Sequence, residues 1–242
     1  MEHKRIFTKI YKNLATPVLK KDTGIDAEYL TNFSLNLLSF CSNNRNWPLI
    51  ARIIKNLNNE FCVTDKRLYQ KICGIDFFNP VGLAAGFDKN GNAANIWRDF
   101  GFGFAEIGTV TKFAQSGNPK PRLFRLAEEE AALNRMGFNN NGAKNLVRNF
   151  LNQGIDFKEK RQNLCLGINF GKSKITSLSQ ASEDYLTSLK LLIPYCDYAV
   201  INVSSPNTEG LRKLQDPILL KELLREIKEL NNCPPLFVKI AP

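Results

Sequence analysis

Apolar residues recur at helical spacing in two stretches near the start of the chain. Leu30, Phe33, Leu37, Leu38 and Cys41 share one face, and Trp47, Ile50, Ile54 and Leu57 share another, with Pro48 suited to a first helical turn. From residue 73 onward the texture changes to short apolar runs at 81–85, 104–109, 164–170, 198–203 and 236–241, which read as strands. Helical patterns at 91–100, 143–151, 182–192 and 217–230 lie between them. The last opens with Asp216 as a cap and Pro217 at the first helical position, and it carries Leu220, Leu223, Leu224 and Ile227 on its apolar face. Strands alternating with helices predict an α/β fold in which a parallel sheet is covered by helices.

Small or polar residues gather at the C-terminal end of each predicted strand: Gly86, Asp88 and Lys89; Thr109; Asn169 and Gly171; Asn202 and Ser205; Lys239. Ligand-facing residues spread over consecutive strand ends suit a TIM-type (β/α)8 barrel, and no GxGxxG follows the first strand to favour an open dinucleotide-binding sheet. Five units over residues 73–242 take about 34 residues each, so eight would need about 270, near the ~250 usual for such a barrel. The expectation is that about five of eight strands are present, that the chain is truncated at its C-terminus, and that a small helical domain over residues 1–72 precedes a barrel portion over 73–242.

Composition narrows the chemistry. The 242 residues carry a formal net charge of +10, and twelve Lys and Arg against six Asp and Glu place +6 of it in the first 72. Those helices read either as a subdomain packed on the main body or as a basic amphipathic pair resting on an anionic membrane surface. The longest uncharged stretch, 29–44, is 16 residues and too polar to span a bilayer. Six cysteines without a CxxC pair, and no signal-peptide pattern, point to reduced thiols. With His3 as the sole histidine, Ser-His-Asp triads, Cys-His dyads and histidine zinc sites are excluded, and no metal is expected. The basic charge lacks the patterning of a nucleic-acid module, so nucleic-acid binding is not expected.

Three loops and one strand carry candidate chemistry. In residues 82–91, Gly82, Ala84, Ala85 and Gly86 allow a ring to approach the backbone and Lys89 follows as a cation; a Gly-rich strand end with a solvated lysine is the alternative. Asn134, Arg135, Met136, Gly137, Phe138 and three further asparagines end a long excursion over 112–142, either recognising a planar polar ligand or stabilising turns. The cations of Pro119-Lys120-Pro121-Arg122 before it could be no more than a solvated loop. Asn202 and Asn207 bracket Ser205, which is either a base for a proton acidified by concurrent hydride loss or the cap of the next turn. Lys239, in an apolar strand on the same side as Phe237 and Ala241, calls for an anion or a covalent role, and a Schiff-base lyase or aldolase using Lys239 is the alternative enzyme.

Read together, FNPVGLAAGFDKNG, GFGFAEIGTVT, GNPKPRLFRL, NRMGFNNNG, LGINFGK, INVSSPNTEGLR and VKIAP, in this order, closely resemble the quinone-dependent, membrane-associated class of dihydroorotate dehydrogenases. The resemblance implies a TIM-type barrel holding FMN that oxidises dihydroorotate to orotate in pyrimidine synthesis, with a membrane quinone as acceptor. It implies peripheral association with the cytoplasmic side of the cell inner or cytoplasmic membrane. By resemblance Ser205 is the catalytic base, where the soluble classes use cysteine. Lys89, Asn134, Arg135, Asn202 and Asn207 bind the substrate, and the backbone around Met136, Gly137 and Phe138 closes over it. Ala85, Gly86, Lys89, Thr109, Asn169, Asn202 and Lys239 contact FMN, and Arg125 matches the arginine at the quinone tunnel. The family commonly has histidine where this chain has Thr31. Its phosphate-binding loops lie on later strands, so an inactive fragment of the dehydrogenase is the further alternative.

Overall fold

The computed structural model describes residues 6–16, 26–126, 128–155 and 165–242. His3, the basic residues Lys4, Arg5, Lys20 and Lys21, and Leu164 of the expected third strand lie outside them.

Helix α1 (Ile6–Ile10) precedes the two predicted amphipathic helices, α2 (Ala27–Asn43) and α3 (Pro48–Phe61). Asp26 caps α2 by accepting the Tyr29 N–H at 2.8 Å, and Pro48 sits in the first turn of α3 as expected. Helix α3 buries Ile50, Ile54 and Leu57. Helix α2 departs from the expected face. It turns Leu35, Leu38 and Cys41 toward the core, while Phe33 and Leu37 stay more than half exposed. Trp47, also expected inward, is exposed and packs edge-on against Phe40 at 5.8 Å.

A tight hairpin follows, β1 (Gln70–Ile72) paired antiparallel with β2 (Ile75–Phe77). Its turn residues Cys73 and Gly74 both have positive φ, 51° and 80°, the geometry that two-residue hairpin turns demand. The expected boundary between residues 72 and 73 falls inside this turn.

The main sheet has five parallel strands in sequence order: β3 (Gly82–Leu83), β4 (Phe104–Val110), β7 (Cys165–Phe170), β8 (Tyr198–Asn202) and β9 (Leu236–Lys239). Each strand pairs with its chain predecessor, as in one side of a β/α barrel. Helices α4 (Ala143–Asn152), α5 (Ala181–Leu192) and α6 (Pro217–Lys228) connect them. The Asp216 carboxylate caps α6 through the Ile218 and Leu219 N–H groups. One core lies between sheet and helices, built on Ile107, Leu166, Ile168, Ile201, Phe150, Tyr185 and Ile227. A second cluster, Phe77, Cys165, Tyr198 and Val200 with Phe104 and Phe237 against it, faces the barrel interior. Gly167 is required there, since a Cβ would stand 2.1 Å from the Tyr198 ring.

Two expected elements differ. The helix read at 91–100 is a series of turns ending in one 3-10 turn, Trp97–Phe100. The buried Asp88 carboxylate accepts the Asn92 and Ala93 N–H groups and the Trp97 indole, which takes the donors of a first helical turn out of helical geometry. The excursion at 112–142 holds an antiparallel hairpin, β5 (Leu123–Leu126) and β6 (Ala131–Asn134), with α2 packed on β5.

Candidate functional site

The C-terminal ends of the strands and the β5–β6 hairpin enclose a cavity of about 570 Å3, within the range of small-molecule sites. Ala85, Gly86, Lys89, Thr109, Asn134, Met136, Gly137, Phe138, Asn202, Ser205, Asn207 and Lys239 all line it. These residues come from five separated segments of the sequence, and the fold brings them to one wall.

Lys89 is placed by the turn that Asp88 organises. Its Nζ donates to Asn139 Oδ1 at 2.5 Å and meets Met136 Sδ at 2.8 Å, so it is held in the cavity and is no solvated lysine. Burial, helped by the nearby Arg122 guanidinium and opposed by Glu28, brings its ammonium down to about 8. An ammonium so poorly solvated favours an anionic ligand.

Behind the wall Thr109, Asn169 and Asn202 form a hydrogen-bonded triangle. The Thr109 hydroxyl donates to Asn169 Oδ1 at 2.6 Å, and Asn202 Nδ2 donates to Thr109 Oγ1 at 3.1 Å and to Asn169 Oδ1 at 3.2 Å. Asn169 is fully buried and stands behind Thr109 and Asn202, with no side of it on the cavity. Asn202 Oδ1 accepts from both the Ser204 N–H and its hydroxyl. Ser205 Oγ accepts the Asn207 N–H at 3.2 Å, so this serine both stabilises a turn and faces the cavity. The asparagine cluster divides in the same way. Asn134 lines the cavity, while Asn140 is a turn element bonded to the Thr111, Phe138 and Gly142 backbone.

Asn169, expected to contact FMN, is thus set back from the cavity, and three more sequence-based expectations change. Arg135 does not line the cavity: its guanidinium donates to the Pro121 carbonyl and lies 5.8 Å from the Phe124 ring centre, anchoring the hairpin from outside. Lys239 is exposed and not buried in apolar strand surroundings, because the barrel interior beside it, a further cavity of about 480 Å3 lined by Phe104, Tyr198 and Phe237, is open. Arg122 is not solvated. It makes a bidentate pair with Glu28 of α2, at 2.8 and 2.6 Å, with both side chains about 95% buried, and also donates to the Ser116 and Asn118 carbonyls.

That pair brings α2 over the hairpin, and Thr31 and Leu123 complete the far side of the cavity. Strand alternation puts Arg125 on the same face of β5 as Leu123. The period-3.6 pattern of α2 could not disclose this, since Glu28 is not one of the apolar positions that define it.

A family model described as dihydroorotate dehydrogenase matches residues 67–242. Among curated relatives, a dihydroorotate dehydrogenase (quinone) of Prochlorococcus marinus (strain MIT 9313) is 54% identical over 233 residues, 96% of this chain and 59% of the relative. One of Nostoc sp. (strain PCC 7120) is 48% identical over 234 residues, 96% and 61% of the two chains. A solved DHODH from Eimeria tenella in complex with ferulenol superposes with a TM-score of 0.69 at 34% identity, over 87% of this chain and 59% of that one. The chain thus spans about 60% of the length of the relatives it matches.

Proposed function

Because the chain belongs to the dihydroorotate dehydrogenase family, we propose that the protein oxidises (S)-dihydroorotate to orotate with FMN as cofactor and a quinone as final acceptor, in UMP synthesis. The observation that carries this reading is the convergence of Lys89, Asn134, Asn202, Ser205 and Asn207 on one cavity, with no histidine among the residues that line it.

The residues fit a flavin beside a small anionic ring. Gly86, at φ +113°, has nothing within 4 Å of where a Cβ would stand, so a flat ring can lie against this backbone. Ala85, Thr109, Asn202 and Lys239 border the same space and would hold the ring's polar edge, with Asn169 supporting them from behind. Bound there, FMN supplies the acceptor for the hydride that leaves C6 of dihydroorotate. Lys89 holds the substrate carboxylate. Asn134, Asn202 and Asn207 supply amide donors and acceptors to the ring. Ser205 Oγ removes the C5 proton. A serine hydroxyl can do this because hydride loss acidifies that proton, in a site whose wall Met136, Gly137 and Phe138 help to form.

Dihydroorotate and a soluble quinone or quinone dye test the reading. A yellow protein that reduces the quinone with dihydroorotate supports it, and a colourless protein that leaves both unchanged overturns it.

The helical segment, residues 1–72, is the part we assign to the quinone and the membrane, on the cytoplasmic side of the cytoplasmic membrane. Phe33, Leu37 and Phe40 recur at i, i+4 and i+7 on α2 with exposures of 59, 55 and 48%, an apolar stripe that suits an interfacial helix. No helix among the described residues is long and apolar enough to cross a membrane. Thr31 of the same helix lines the cavity. Flotation with vesicles containing anionic lipid is expected to show Phe33→Ser/Leu37→Ser binding at least tenfold weaker than the parent chain; equal partitioning would remove the membrane assignment.

A further inference from the structure

Lys172, at the end of the LGINFGK segment, plays no part in the chemistry proposed above. It is 2% exposed, and its ammonium donates to the Ser173 and Thr176 carbonyls at 2.9 and 2.5 Å. The Asp184 carboxylate of α5, equally buried, accepts the Ser173 N–H, the Ser173 hydroxyl and the Thr176 hydroxyl. Two buried charged groups thus lock the loop that follows β7.

Gln115 carries that rigidity to the cavity. Its Oε1 accepts the Lys174 N–H of this loop at 2.9 Å, and its Nε2 donates to the Gly137 carbonyl at 3.0 Å. A backbone N–H can only donate and a carbonyl can only accept, so the two partners fix which way the amide faces. The Gln115 backbone is itself paired in both directions with Asn140. Gly137 belongs to the cavity wall, where it and Phe138 both have positive φ, 72° and 54°. The neighbouring carbonyls are bonded as well. Those of Arg135 and Met136 accept the side-chain and backbone N–H of Asn118, and that of Phe138 accepts Asn140 Nδ2. Of these donors, Gln115 alone reaches back to the locked loop.

We propose that Gln115 is a positioning residue for substrate binding: it transmits the fixed place of the β7 loop to Met136, Gly137 and Phe138, and so sets how closely that wall meets the ligand. The identity of the ligand rests on the function proposed above; the bridge between loop and wall does not.

Gln115→Met and Gln115→Glu separate its two arms. Methionine keeps the length and loses both hydrogen bonds; an ionised glutamate keeps the acceptor for Lys174 and loses the donor to Gly137. Orotate binding to the FMN-loaded protein is followed by the change in flavin absorbance. At about pH 8 both variants are expected to bind about tenfold more weakly than the parent, the scale of one lost hydrogen bond. A protonated glutamate offers its hydroxyl to the Gly137 carbonyl. The Gln115→Glu deficit should therefore shrink to about threefold or less as pH falls to about 5, while that of Gln115→Met stays. Taking each affinity relative to the parent at the same pH cancels the titration of Lys89, which all three forms share. Selective 15N-lysine labelling adds a readout that needs no ligand: the Lys174 N–H exchanges slowly in the parent and in Gln115→Glu, and quickly in Gln115→Met. A folded Gln115→Met with parental orotate affinity or slow Lys174 exchange, or a Gln115→Glu deficit independent of pH, overturns the inference. If no form binds orotate but the exchange pattern holds, the bridge stands and the dihydroorotate reading falls.

Discussion

Arg122→Met is expected to destabilise the protein by about 3–5 kcal/mol, read from the urea midpoint, because it strands a buried carboxylate. Glu28 and Arg122 are each about 5% exposed and meet in a two-point fork. Removing the guanidinium leaves Glu28 with Lys120, 3.8 Å away on an exposed side chain, as its nearest cation. It also releases the Ser116 and Asn118 carbonyls. Asn118 in turn donates its N–H to Met136 O and its side-chain amide to Arg135 O, so the loop that shapes the cavity loosens with the pair. Replacing both partners, Glu28→Leu with Arg122→Met, is expected to recover most of the loss, since no charge is then left buried.

Acid gives a second view of the same contact. The Arg122 hydrogen bonds, and after them its charge, hold the Glu28 carboxyl below the usual carboxylate range against the opposing effect of burial. A group whose folded pKa is depressed stabilises fully above its unfolded value, about 4.3 for glutamate, and loses that contribution as pH falls through the folded value. The stability gap between the parent and Glu28→Gln should therefore be constant near neutrality and narrow below about pH 4. A single-site cost under about 1 kcal/mol for Arg122→Met, or a gap independent of pH, would show that the pair behaves as a solvated surface contact.

How far the sequence discloses such features depends on what each residue interacts with. Strands β4, β7, β8 and β9 were legible because runs such as Tyr198–Asn202 have an apolar neighbour on both faces, and the capped helix after Asp216 announces itself locally. The turns at 91–100 were not, because their cause is the Asp88 carboxylate reaching forward to Asn92, Ala93 and Trp97, which overrides a helical pattern. In the site, Lys89, Asn202 and Ser205 were found from their places at strand ends. The pairs that support the walls around them were not: Arg122 and Glu28, which tie α2 to the loop before β5, lie 94 positions apart, and Asn169 meets Glu106 across 63. A charge that serves another side chain across such a separation has no local signature. Arg135 shows the converse, a residue inside a recognisable motif whose side chain turns outward to Phe124.

Ser205→Ala is expected to slow flavin reduction by dihydroorotate about 10²–10⁴-fold, the range removed with a positioned general base, while FMN content and orotate affinity stay near parental values. The lost Oγ is the acceptor of one partly buried N–H, that of Asn207, worth about 1 kcal/mol, so the turn should persist. Lys89 and Asn202, whose own partners lie elsewhere, keep their places. Single-turnover absorbance at the flavin band separates the proton-removal step from binding and from quinone reduction. Ser205→Cys sharpens the test, because a thiol ionises near 8.5 where a serine hydroxyl does not. Its rate should be partly restored and should rise as pH passes through that region. A Ser205→Ala variant that reduces flavin at the parental rate, or a Ser205→Cys variant with a parental pH profile, would assign proton removal to another group on the cavity wall, and Lys89, brought down to about 8 by burial, would be the first to examine.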